Sequence, residues 1–169
     1  MAGFLIHYMR AEPLFAFARP ASELEAQAAV ALYACAISRA LGGDRKERRR
    51  LTNQAKRSAQ CRRQREEADE CEWGRYLKRG GVPDEAYTAF MVSECFDGGG
   101  PGGVSGANIP MEARILSVAE HWAALTAKGS PHLSHEEALG DLDACAGTRY
   151  DPQVVRAAHL AFERRLVNS

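Results

Sequence analysis

The sequence predicts an all-α fold, a compact multi-helix domain, and three observations predict it. Helix start and stop signals recur along the chain, apolar residues return at helical spacing between them, and no segment reads as a strand.

The elements follow in order. Ser22-Glu-Leu-Glu25 has the form of a capping box, in which the serine accepts from a first-turn amide and Glu25 reaches back. The alanine-rich run behind it continues to Leu41, where Gly42-Gly43 supplies a C-terminal stop. Its small residues allow close approach of another helix. Residues 45–65 then hold ten Arg or Lys against one Glu, and residues 66–72 are mostly acidic. Leu51 is the only large aliphatic residue between Asp44 and Cys71. Without an apolar stripe this stretch is not expected to be a core helix, and it reads as a solvated helix or a mobile segment. Apolar periodicity returns at Trp73, Tyr76 and Leu77 and stops at Gly80-Gly81. Asp84 to Cys95 reads as a helix with Ala86, Tyr87, Phe90 and Met91 on its apolar face. Pro110 opens another through Leu125, with Ile115, Leu116, Val118, Ala119 and Trp122 inward. Ser134-His-Glu-Glu137 is a second capping box, and Asp151-Pro152 gives an N-cap followed by proline at the first helical position.

The 169 residues form one ordinary domain, and 46% apolar with 26% charged residues fits a soluble globular chain. Met1 to Phe17 is apolar but broken by His7, Arg10, Glu12 and Pro13, too short and polar to span a bilayer and unlike a signal peptide. No membrane association and a cytoplasmic location are therefore expected. Five cysteines, an odd number with no Cys-x-x-Cys, argue against a disulfide framework or a cysteine-based zinc site. The net charge is zero, so any attraction to nucleic acid has to be local.

The chemistry-bearing stretch is SECFDGGGPGG, Ser93 to Gly103, which places carboxylates and glycines just before a helix. Six glycines from Gly98 to Gly106 leave many backbone amides able to cradle a phosphate. The candidate ligand-binding set is Glu94, Asp97, Gly98, Gly100 and Pro101, with Arg114 and Lys128 as the nearest cations. The opposing reading is a tight turn held by Asp97 bonding to nearby amides.

From about residue 82 to 162 the sequence resembles the C-terminal half of the HD-GYP family. The matching segments are ECFDGGGPGGVSGANIPMEARILSVAEHWAALTA, SHEEALGDL and AGTRYDPQVV. Glu94, Phe96, Asp97, Gly98, Pro101, Gly103, Gly106, Ile109 and Pro110 fall in the family's order. Ala113-Arg114-Ile115, Val118-Ala119 and Tyr150-Asp151-Pro152 follow. The resemblance implies a helical HD-like domain related to metal-dependent phosphodiesterases that cleave cyclic di-GMP. The departures imply loss of that activity. The family's paired histidines fall on Val92 and Ser93, its metal-binding aspartate on Glu120, and its tyrosine is missing from the shortened Gly99-Gly100-Pro101. No His-Asp dipeptide occurs anywhere, and a weak alignment on Leu51-Thr52 sets the dyad at Tyr33-Ala34. Such a site needs several imidazoles and carboxylates to make hydroxide at neutral pH. With Glu120 as the one vestigial ligand, no catalytic residue, no metal and no other cofactor are expected.

The resulting expectation is a catalytically inactive regulatory or interaction domain in bacterial signalling, with a protein partner or a second copy of itself. Cyclic di-GMP is a further candidate ligand. One alternative is a working phosphohydrolase with a variant manganese or iron site. A second is nucleic-acid binding through Arg48, Arg49, Arg50, Arg62, Arg63 and Arg65. The run Asn53 to Arg62 superficially resembles a leucine-zipper basic region, but no leucine heptad follows it. His121, beside Glu120, points about 100° away from it on a helix and reads as a packed or surface residue.

Overall fold

The computed structural model describes residues 23–67, 84–127 and 133–166. Six α-helices are formed there: α1 (Glu23–Ala40), α2 (Arg45–Glu67), α3 (Asp84–Met91), α4 (Met111–Thr126), α5 (His135–Ala144) and α6 (Pro152–Leu166). A 3-10 turn, Gly106–Asn108, precedes α4. Among the described residues the nearest thing to a strand is one isolated bridge between Ala146 and Tyr150. The all-α expectation therefore holds. None of the described helices is long and apolar enough to cross a membrane.

Helices α1 and α4 are central. α1 packs on α2, α4 and α6, and α4 also touches α3, α5 and α6. The core is built from Val30, Ala34 and Ile37 of α1, Ile115, Leu116, Val118, Ala119 and Trp122 of α4, Leu142 of α5, and Val154, Val155, Ala158 and Phe162 of α6. Trp122 stacks on Phe162 with centroids 4.2 Å apart, and Tyr33 meets both rings edge-on. Such aromatic pairs add roughly 0.5–1.5 kcal/mol beyond their buried area.

The helix punctuation is largely as read. α1 ends in a Schellman motif: Gly42 (φ +85°) donates to the Arg39 carbonyl and Gly43 to that of Ser38. Gly43 also sits where a Cβ would collide with the Ser38 hydroxyl. The Ser134–Glu137 capping box is complete in both directions. Asp151 caps α6 by accepting from the Gln153 amide at 2.7 Å. α3 stops at Met91, short of Cys95, because the chain turns there, with Ser93 donating to Phe90 and Glu94 to Met91. The Ser22 cap and the Trp73–Gly81 segment lie outside the described residues.

One expectation is corrected. The basic stretch does enter the core. Leu51 of α2 is fully buried, and Gln54 and Ala55 beside it are 6% and 2% exposed. The physical reason is the partner. α1 presents Ala31 and Ala34 as buried small residues, so the backbones come close and one leucine with one alanine suffices where a full apolar stripe seemed necessary. Polar ties complete the join. Asp44 accepts from the Glu47 amide at 2.7 Å, the Ser38 hydroxyl donates to Glu47, and the Arg48 guanidinium donates to the Gly43 carbonyl.

Candidate functional site

The loop from Ser93 to Pro110 joins α3 to α4, and its glycines answer to two carboxylates. Asp97 accepts from the Gly99 amide at 2.8 Å, the Asx turn expected of Asp-Gly. Glu94 is 3% exposed, and its carboxylate accepts from the Gly102 amide at 2.7 Å and the Val104 amide at 3.2 Å. The loop folds so tightly over Glu94 that a Cβ on Gly100 would lie 2.7 Å from the Glu94 Cα, and one on Gly102 2.7 Å from its Oε1. Three further glycine amides have backbone partners: Gly98 donates to Cys95, Gly103 to Gly100 and Gly106 to Phe96.

This changes the reading of the glycine run. Of the six glycine amides counted toward a phosphate cradle, those of Gly98, Gly99, Gly102, Gly103 and Gly106 are engaged inside the loop. The loop is a nest for an anion, and the anion it holds is the carboxylate of Glu94.

Arg114 is likewise committed. Its Nε donates to the Ile109 carbonyl at 2.9 Å and its Nη1 to Asp151 at 2.5 Å, with the pair only 14% and 6% exposed. The same Asp151 caps α6, so Arg114 fastens the end of the glycine loop to the start of the last helix. A second strap runs between the loops: Phe96 donates to the Arg149 carbonyl and Asp97 to that of Thr148. A crevice lined by Glu94, Arg114, Ser117, Arg149, Tyr150 and Asp151 lies between them and encloses about 200 Å³ including its open mouth. Without the open mouth about 10 Å³ remains, room for about one water, so the crevice as it stands is too small for a dinucleotide. The Arg149 guanidinium lies 5.4 Å from the Tyr150 ring centre. Burial pushes the Tyr150 hydroxyl far above its ordinary range, so it stays protonated, and burial likewise raises the Cys95 and Cys145 thiols. None of the three is an activated nucleophile.

The other candidates are scattered. Pro101 is exposed at the tip of the loop, and Lys128 lies outside the described residues. Glu120 is buried on α4. Its neighbour His121 is buried too, with Nε2 2.5 Å from the Asp141 carboxylate of α5 and its ring 5.3 Å from Tyr150. Its Nδ1 is buried with no hydrogen-bond partner among the described residues. Asp141 was not singled out from the sequence, because 20 residues separate it from His121 and only the α4–α5 packing joins them.

The resemblance to metal-dependent phosphodiesterases implies a metal centre, and the described residues at the matched positions do not fit one. Val92 is half-buried against the core and Ser93 is exposed. Ala34 is fully buried and Tyr33 packs on Trp122 and Phe162. Glu94 and Asp97 are spent on loop amides, and His121 on Asp141. Among the described residues no three His, Cys, Asp or Glu side chains are grouped to hold a metal ion.

Of the basic residues proposed to touch nucleic acid, Arg48 turns back to Gly43 and Arg50 lies 3.6 Å from Glu112 while staying 57% exposed. Arg49 is exposed, and the side chains of Arg62, Arg63 and Arg65 lie outside the described ones.

A search of curated proteins returned no match. Residues 82–154 match the family model described as HD domain. That match takes in α3, the glycine loop, α4, α5 and the start of α6, and in this stretch the chain carries an HD-domain fold.

Proposed function

We propose that this chain is a degenerate relative of the HD-GYP phosphodiesterases that has lost hydrolysis and acts by binding a protein partner in cytoplasmic bacterial signalling. The observation that carries the reading is the fate of Glu94. The carboxylate at the rim of the former site is enclosed by the amides of Gly102 and Val104, so the loop spends its anion-binding capacity on itself. Packing at Tyr33, Ala34 and Val92, positions matched to lost histidines or the lost dyad, points the same way. What persists is scaffold: the Arg114–Asp151 tie, the capped helices and the α1–α4–α6 core. Regulatory domains that keep a scaffold and shed its chemistry act through surfaces, and here the partner class is inferred by analogy with them.

The test is metal analysis of chelator-free protein, with a cyclic di-GMP hydrolysis assay on the same sample supplied with manganese and iron. Near-zero metal and no turnover are expected. Stoichiometric metal with turnover would overturn the reading.

A further inference from the structure

The outer face of α2 is a stripe of cations whose placement opposes the helix that carries them. At 100° per residue, the buried Leu51, Gln54 and Ala55 define one side of the helix, and Arg45, Arg49, Asn53 and Lys56 fall within 80° of one another on the other. All four are exposed, as is Lys46 beside them. No apolar or aromatic residue interrupts the stripe.

Apart from a weak attraction between Lys46 and the Asp44 cap, these charges oppose the helix. Arg45 and Lys46 stand in the first turn, at the positive end of the macrodipole, where cations are unfavourable. Arg45–Arg49 and Lys46–Arg50 are like-charge pairs four residues apart, which also destabilise. The helix is held in spite of them, by Leu51, Ala55 and the Asp44 cap.

We propose that this face binds double-stranded DNA through its phosphates, without reading sequence. From Arg45 to Lys56 the stripe spans about 17 Å, along which one strand of a duplex presents about five phosphates. A membrane surface fits less well, because an interfacial helix needs a free apolar face and that of α2 is turned onto α1. An acidic protein would meet none of the aromatic or apolar anchors that dominate protein interfaces. A single strand would find no ring on which to stack its bases. The inference is independent of the lost hydrolase site.

The experiment is fluorescence anisotropy of the full chain with a 20-base-pair DNA duplex of arbitrary sequence, titrated from 50 to 200 mM salt. The same single strand and phosphatidylserine vesicles are run beside it. The duplex is expected to bind tightest, with log K falling linearly in log salt. The fourfold variant R45Q/K46Q/R49Q/K56Q should flatten that slope by about 0.9 for each phosphate contact removed. Its melting temperature should be equal or higher, which separates lost binding from lost folding. R156Q, an exposed arginine on α6, should bind as the parent does. No duplex binding at 50 mM salt overturns the proposal, as does tighter binding of the single strand or vesicles. A fourfold variant with the parent's salt slope overturns it too.

Discussion

The glycine loop and helix α2 handle charge in opposite ways. In the loop, Glu94 and, just beyond, Arg114 turn inward and are matched by amides, a carbonyl and Asp151, and the exposed Asp97 is matched by an amide. On α2 Arg45, Lys46, Arg49 and Lys56 are exposed, while Arg48 turns back to Gly43 and Arg50 meets Glu112. Both regions look like binding sites in the sequence, one glycine-rich and one arginine-rich. The difference teaches that a charged motif announces a ligand only when the fold leaves its charge unspent. The loop is structural because its charges are used up. The stripe is the better candidate surface because its charges weaken the helix that bears them.

The comparison can be broken by mutation. The largest effect is expected at the buried ion pair: Arg114→Ala strands Asp151 and should cost about 3–5 kcal/mol, read by denaturant unfolding. If the loss is under 1 kcal/mol, the inward charges are not what holds the loop. Glu94→Ala frees two amides from charge-assisted bonds and should cost about 2–4 kcal/mol. Leu51→Ala should cost a similar or slightly smaller amount, about 2–3 kcal/mol, since Leu51 is fully buried and is the one large aliphatic residue in the α2 sequence. A neutral result there would return α2 to the solvated helix that its composition suggests. Ser134→Ala removes one half of a capping box and should cost about 1 kcal/mol.

The smallest effect is in pH. The Ser134 hydroxyl and amide hold the Glu137 carboxyl below its ordinary 4.5, and the Glu47 amide holds Asp44 below 3.8. Both acids are therefore more acidic folded than unfolded. Their contribution is present in full above those ordinary values and is lost as pH falls below them through the folded pKa. Glu137→Gln should therefore be slightly less stable than the parent near neutrality, with the difference shrinking as pH falls below 4.5 in acid unfolding curves.

Much of the fold was legible in the sequence because its signals are local. The Gly42-Gly43 stop, the Ser134–Glu137 box and the Asp151-Pro152 start each act within a few residues, so their chemistry is written in adjacent letters. The apolar face of α4 was equally readable, since one helix face needs no partner to be recognised. The site was less legible. Glu94 stood out, but that its anion occupies the glycine nest depends on eight and ten residues of chain folding back over it. Arg114 was read as open to phosphate because Asp151 lies 37 residues away.

What the sequence determined by itself is thus the helical class, most helix ends and the positions of the charged groups. Only the tertiary structure decided which charges are spent. Burial of α2 required the small face of α1, and the His121–Asp141 contact required the packing of α4 on α5. Helix ends are fixed by hydrogen bonds between near neighbours, whereas the fate of a charge is set by whatever opposite group the fold brings against it.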